Sequence, residues 1–141
     1  RQAANVSELP TEAPKIVARI VELVKQRFYT GQRIHRVVPG FVIQWGDPHT
    51  PDMTKKDRWG TGGSGTPVGV AEITKTRARV LGAVAMAHAG DPAKADSQMY
   101  VTLAPVARLN GQYTVFGKVI SGMDVVQKIQ AEDVVKRMTI K

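Results

Sequence analysis

Three polar side chains stand out where the sequence otherwise consists of apolar, largely β-branched residues. Arg36, Gln44 and Asp47 lie within or directly after two short runs, 34–38 and 41–45, whose composition is typical of strands. Arginine and glutamine are costly to bury without partners, so a strand that serves only packing does not need them. Because these side chains can donate and accept hydrogen bonds, their position on paired strands indicates a binding or catalytic site.

The two runs are joined by Pro39-Gly40, which favours a tight bend because proline fixes φ and glycine frees it. The following segment, 48–69, is rich in Gly, Pro, Thr and charge, which predicts a long surface loop. Within it, the glycine-rich stretch 60–65 lacks the Lys-Ser/Thr pair of a phosphate-binding loop and a strand-to-helix context. We therefore do not interpret this stretch as a nucleotide site.

The hairpin sequence IHRVVPGFVIQWGD, residues 34–47, resembles the signature of the cyclophilins, the peptidyl-prolyl cis-trans isomerases. Two residues depart from the usual pattern, Ile34 in place of an aromatic residue and Trp45 in place of the first glycine. The resemblance runs from about Glu12 to Lys141. Further stretches match the family in order: 86–90, 97–101, 109–119 and 121–129.

Many short strands, glycine-marked turns and two helices predict a closed or nearly closed antiparallel barrel in one domain, 1–141. The resemblance implies a mainly β fold, a closed antiparallel eight-stranded barrel capped by two α-helices. It also implies that the family's first strand and most of its second are missing upstream of Arg1. Further strands are predicted near 6–9, 80–87, 97–103, 113–120 and 134–140. Helices are predicted at 14–27 and 123–129, the first with Thr11 as its cap and Gly31 as its terminator.

The resemblance implies catalysis of rotation about Xaa-Pro peptide bonds, which assists protein folding. The rotation barrier is about 18–20 kcal/mol and arises from delocalisation of the nitrogen lone pair. No bond is broken, so the reaction requires no nucleophile, metal or cofactor. A permanently charged donor aimed at the amide nitrogen would stabilise only the twisted state, and we assign this catalytic, electrostatic role to Arg36.

The resemblance also implies how the substrate is bound. Gln44 and Gln98 orient the peptide and Arg36, while Ala87 and the backbone of His88 form the edge that pairs with the residue before proline. A metal or general-base role for the His88 side chain is the alternative, although the three histidines do not have a ligand spacing. The proline pocket is formed by Phe41, Val42, Tyr100, Leu109 and Tyr113. Simple alternation along a strand would place Phe41 and Val42 on opposite faces, so only the resemblance brings both to the site.

Composition leaves other functions open. A non-catalytic module or chaperone that binds proline peptides is possible on the same fold. The net charge of +8 could indicate nucleic acid, but the basic residues are dispersed and lack an aromatic platform. The longest apolar run, 80–87, is too short to span a bilayer. There is no cysteine, which excludes disulfides and thiol chemistry.

The expected partners are proline-containing peptides and unfolded chains, bound by a monomer. Weak cyclosporin binding is expected, because Arg108 stands where well-known eukaryotic members of the family have a tryptophan that contacts the drug. A chain that begins at Arg1 and lacks cysteine fits a processed, exported bacterial protein better than a cytoplasmic one.

Overall fold

The computed structural model describes residues 4–8, 13–73, 81–88, 91–105 and 113–139. The predictions made for Thr11, Arg108, Leu109 and Ile140 therefore lie outside the described residues. The strands are β1 (Asn5–Glu8), β2 (Arg36–Val38), β3 (Val42–Trp45), β4 (Ala83–Met86), β5 (Met99–Thr102) and β6 (Val115–Ser121). The helices are α1 (Pro14–Lys25), α2 (Met123–Gln127) and two 3₁₀ helices, Met53–Arg58 and Pro92–Lys94.

All six strands belong to one antiparallel sheet in the order β1-β6-β4-β5-β3-β2. The predicted mainly β, antiparallel fold is confirmed. The predicted closed barrel of eight strands is not reached within the described residues, where six strands form and the outer strands β1 and β2 do not pair with each other.

The sheet carries two different faces because successive side chains of a strand alternate. One face, with Ile43, Val84 and Met86 among its residues, packs against the buried side of α1 in the main core. The opposite face carries a smaller apolar group of Val42, Ala83, Ala85, Tyr100 and Val115. This second face is the one that carries Arg36 and Gln44, which lie in register with Tyr100.

Helix α1 begins as predicted, with a proline in its first turn, but its cap is not local. Ala13 precedes the helix and offers no side-chain cap. The carboxylate of Glu72 instead accepts the backbone N–H groups of Lys15 at 3.1 Å and Ile16 at 2.8 Å. A carboxylate at this end satisfies free N–H groups and complements the helix dipole.

The predicted end of α1 is wrong. The helix ends at Lys25, and Arg27 adopts a left-handed conformation with φ of 60°. The N–H of Arg27 donates to Val24 O and that of Phe28 donates to Leu23 O, both at 3.0 Å. This is the Schellman arrangement, in which Arg27 takes the place usually held by glycine. Gly31, the predicted terminator, lies in the turns that follow.

The predicted last strand, 134–140, is also wrong over its described part. Only Val134 forms an isolated antiparallel bridge, with Arg33, and its side chain is 45% exposed instead of facing inward. Residues 135–139 contain no strand, although Met138 packs against the core. Within the described part of this segment, the backbone hydrogen bonds to residues 31–34 come from the stretch 132–135 alone. In the described residues, no helix is both long and apolar enough to cross a membrane.

Candidate functional site

A cavity of about 590 Å³ opens on the second face of the sheet. Its lining includes all nine predicted site residues that the structure describes: Arg36, Phe41, Val42, Gln44, Ala87, His88, Gln98, Tyr100 and Tyr113. The tenth, Leu109, lies outside the described residues. Residues that are up to 77 positions apart in the chain are thus brought to one cavity by the sheet.

Strand register explains how these residues meet. Arg36 of β2 pairs with Gln44 of β3, which pairs with Tyr100 of β5, which pairs with Ala85 of β4. Residues that pair directly share a face of the sheet. The row therefore runs from a charged end at Arg36 to an apolar end at Ala85, and the polar residues in the strands lie outside the main core.

Phe41 and Val42 both reach the cavity because they do not belong to the same strand. Phe41 lies in the turn after Pro39-Gly40, where Gly40 has φ of 71° and the Phe41 N–H donates to Val38 O at 3.0 Å. Strand β3 begins only at Val42. Alternation does not apply across this boundary, so both side chains face the cavity.

A chain of hydrogen bonds joins the glycine-rich loop to the arginine. Gln98 Nε2 donates to Gly60 O at 2.9 Å and to Gly62 O at 2.8 Å. Gln44 Nε2 donates to Gln98 Oε1 at 3.0 Å, and Arg36 Nη1 lies 3.5 Å from Gln44 Oε1. Both glutamine amides are thereby held in a fixed orientation beside the guanidinium group.

Aromatic rings form the apolar part of the cavity. The rings of Tyr100 and Tyr113 meet edge to face with centroids 5.6 Å apart, and His88 lies 4.5 Å from Tyr113. The guanidinium carbon of Arg36 lies 5.9 Å from the centroid of the Phe41 ring, within the range of a cation–π contact. Aromatic walls beside a guanidinium group suit a small apolar ring attached to a polar backbone.

Lys94, Asp96 and Ser97 also line the cavity, although the sequence did not single them out. The Asp96 carboxylate accepts the N–H of Ser64 at 2.9 Å and of Gly65 at 3.1 Å, and the hydroxyl of Ser64. No local pattern around Asp96 could have indicated this pairing, because its partners lie about thirty residues upstream.

The glycines of the loop approach carboxylates closely. A Cβ atom on Gly62 would lie 2.5 Å from Asp47 Oδ1, and one on Gly63 would lie 2.8 Å from Asp96 Oδ2. Both glycines thus leave room for a carboxylate that lies against the loop.

Two titratable groups beside the cavity have lowered pKa values. Burial alone would raise the pKa of Asp47, but backbone N–H groups of His49, Gly62 and Gly60 outweigh burial and lower it. Burial lowers the pKa of His35, because the charged imidazolium is poorly solvated. Asp47 is therefore ionised and His35 neutral at pH 7. In the described ranges, no three His, Asp or Glu side chains group to hold a metal ion.

Comparison with known proteins places this arrangement in a family. The family described as "Cyclophilin type peptidyl-prolyl cis-trans isomerase/CLD" matches residues 6–141. A "Probable peptidyl-prolyl cis-trans isomerase" of Brucella abortus is 47% identical over 124 residues, which cover 86% of this chain and 63% of the relative. "Peptidyl-prolyl cis-trans isomerase B" of Bacillus subtilis is 37% identical over 132 residues, covering 94% and 86% of the two chains.

A solved structure shares the fold. It is a cyclophilin-type isomerase of Cryptosporidium parvum, crystallised in the presence of the dipeptide Ala-Pro, with a TM-score of 0.78. It is 24% identical, and the match covers 94% of this chain and 85% of the other. The chain spans less than two thirds of the length of the Brucella relative, 63%. With the family match extending over nearly all of its residues, the chain belongs to the cyclophilin-type peptidyl-prolyl cis-trans isomerases.

Proposed function

We propose that this protein catalyses cis–trans isomerisation of Xaa-Pro peptide bonds and thereby assists the folding of proline-containing chains. One observation carries the proposal. The cavity combines the guanidinium group of Arg36 with an apolar pocket that includes Val42, Tyr100 and Tyr113. The same cavity provides oriented amides at Gln44 and Gln98 for a peptide backbone.

The chemistry follows from the nature of the barrier. In the twisted state, the proline nitrogen becomes pyramidal and gains a lone pair that the planar amide lacks. The Arg36 guanidinium stays protonated and offers several N–H donors, so it stabilises the twisted state in preference to either planar isomer. The pocket holds the proline ring while the preceding carbonyl turns. Arg36 moves no proton, and the substrate keeps all its covalent bonds.

The remaining predicted residues bind the substrate in this scheme. Phe41 and Leu109 complete the proline pocket, and Ala87 with the backbone of His88 forms an edge for the residue before proline. The structure determined with Ala-Pro belongs to a protein of the same fold, which supports a proline peptide as the ligand.

The finer predictions on fold and partners form part of the proposal. Residues 1–141 make a single domain whose sheet closes into an eight-stranded barrel. Support comes from the additional pairing of 132–135 with 31–34 through four backbone hydrogen bonds of 2.7–2.9 Å. The protein is a monomer, has no specific nucleic-acid ligand and binds cyclosporin weakly because of Arg108.

The test compares exchange rates of an Ala-Pro peptide, measured by NMR line shape, with wild type, Arg36→Ala and Arg36→Lys. Removing one preorganised donor to a transition state costs roughly 100-fold in rate, which is the loss expected for Arg36→Ala. Arg36→Lys keeps the charge but loses the planar fork of donors, so we expect an intermediate rate.

Arg137→Ala is the matched control, because Arg137 is exposed and does not line the cavity. It removes the same side chain and should leave the exchange rate at the wild-type value. Peptide binding without acceleration by the wild-type protein would instead establish the non-catalytic binding module. Equal activity of wild type and Arg36→Ala would remove Arg36 from its catalytic role.

A further inference from the structure

Asp47 is a buried charge that the proposed reaction does not use. Its side chain is 0% exposed. Oδ1 accepts the N–H of His49 at 2.8 Å, and Oδ2 accepts those of Gly60 at 2.7 Å and Gly62 at 2.9 Å. A buried carboxylate persists only with such compensation, so these three bonds fix both oxygens.

Two of the three donors belong to the glycine-rich loop at the cavity wall. Gly60 has φ of +97°, and a Cβ on Gly62 would overlap Asp47 Oδ1. The loop therefore has glycine where its backbone turns and where it approaches the carboxylate. The N–H groups of Gly60 and Gly62 point to Asp47, while their carbonyl groups point to Gln98.

The loop thereby connects Asp47 on one side to the Arg36 guanidinium group on the other. The two loop carbonyls hold Gln98 Nε2, Gln98 Oε1 holds the amide of Gln44, and Gln44 Oε1 faces Arg36 Nη1. Asp47 follows β3 after Gly46, and β3 carries Gln44, so the chain of bonds returns to the strand from which it starts. A shift of the loop would release Gln98 first and the guanidinium group last.

We propose that Asp47 is a positioning residue for catalysis, which acts through the Gly60–Gly62 loop, Gln98 and Gln44 to hold the Arg36 guanidinium in place. The inference rests on the proposed isomerase activity. The bonds to Asp47 keep its pKa low, so the carboxylate accepts hydrogen bonds at both oxygens throughout the neutral range. The apolar side chains of the proline pocket, among them Val42 and Tyr100, pack together on the second face of the sheet.

The test is Asp47→Asn, which keeps the shape but turns an N–H donor towards the loop N–H groups. Because small displacements of catalytic groups are costly, we expect kcat for an Ala-Pro peptide to fall roughly tenfold. KM should change by a smaller factor than kcat, because the apolar side chains that hold the proline ring keep their packing while the glutamine amides shift. The side-chain amide signals of Gln98 and Gln44 should shift in ¹H–¹⁵N spectra. Asp52→Asn is the matched control, because that carboxylate is exposed and accepts its hydrogen bonds from Thr54 instead of from the glycine-rich loop.

The decisive readout is a double-mutant cycle with Arg36→Ala, measured at high enzyme concentration. If Asp47 acts through Arg36, Asp47→Asn should lower kcat by less than about twofold when Arg36 is already replaced by alanine. An equal loss in both backgrounds, or wild-type kcat in Asp47→Asn, would overturn the inference while leaving the isomerase assignment intact. Failure of the assignment itself would appear separately, as an inactive wild type or an unaffected Arg36→Ala.

Asp47→Asn could also fail to fold, which circular dichroism would reveal. Gly62→Ala then tests the same link with the carboxylate retained, because the added methyl group pushes the loop away from Asp47 Oδ1. We expect the same loss of kcat and the same dependence on Arg36. Wild-type kcat, or a loss independent of Arg36, would overturn the inference in this variant too.

Discussion

At the scale of single residues, Gly46 has the least room for change. It joins β3 to Asp47, with φ of +114°. A Cβ atom there would lie 2.3 Å from Ser97 O and 2.6 Å from Gln98 Cα, both backbone atoms. The Ser97 hydroxyl group also donates a hydrogen bond to Gly46 O at 2.7 Å. The close approach brings the end of β3 against the residues that lead into β5, and thereby sets Gln44 beside Gln98.

We expect Gly46→Ala to lower the free energy of unfolding by about 3 kcal/mol or more, because backbone overlap adds to left-handed strain. Gly40→Ala is the matched control. Gly40 also has positive φ, 71°, but a Cβ there meets nothing within 4 Å, so only the strain of about 1–2 kcal/mol remains. Urea unfolding measures both variants. Similar losses in the two variants would contradict the importance of the contact with Ser97.

At the scale of elements, the end of α1 contains a residue that is poorly suited to its conformation. Arg27 holds the left-handed position of a Schellman motif, where a side chain costs roughly 1–2 kcal/mol. Glycine removes that strain but loses more backbone entropy on folding. The net expectation for Arg27→Gly is a gain of about 1 kcal/mol in the free energy of unfolding, measured by urea denaturation.

Lys25→Gly serves as the contrasting control two residues earlier. Lys25 is exposed like Arg27 but lies inside the helix, where glycine costs about 1 kcal/mol. The same substitution should therefore have opposite signs at the two positions. Destabilisation by Arg27→Gly of the size seen for Lys25→Gly would show that the left-handed strain is absent.

The helices and strands also show how much of the fold could be predicted from the sequence. The hairpin, β4, β5 and β6 were predictable because short, mostly apolar runs are bounded by turn residues. The cap of α1 was not predictable, because Glu72 lies 57 residues further along the chain than Lys15. No sequence pattern indicated that Arg27 would adopt the left-handed conformation that ends α1. Gly31 was misleading, because glycine is the usual residue at that position of a helix end. The last strand failed because apolar periodicity does not reveal whether a partner strand continues beside it.

The site was predictable mainly through the family resemblance. Arg36 and Gln44 could be identified as polar residues within apolar runs. That they lie on the same face of the sheet became clear only from the strand register. Periodicity would have separated Phe41 from Val42, because it cannot locate the residue at which a strand begins. Asp96 was missed, since only tertiary structure brings it to the loop.

At the scale of the whole molecule, acid should weaken the fold in two steps. The pKa of His35 is lowered from 6.5 by burial, so the unfolded chain binds a proton there at higher pH than the folded protein does. The pKa of Asp47 is lowered from 3.8, with the same consequence at lower pH. Whenever the unfolded state binds more protons, stability falls as pH decreases. The two groups therefore act in the same direction over separate pH ranges.

We expect the free energy of unfolding in urea to be nearly constant above pH 7 and to fall as pH drops below about 6.5, the usual pKa of histidine. A further fall should begin below about pH 4, when unfolded Asp47 is protonated. His35→Gln should flatten the pH dependence of the free energy of unfolding between pH 7 and 5, because a neutral amide cannot take up the proton. A His35→Gln protein with the wild-type slope between pH 7 and 5 would show that His35 is not the group responsible, and that its burial does not destabilise the charged form.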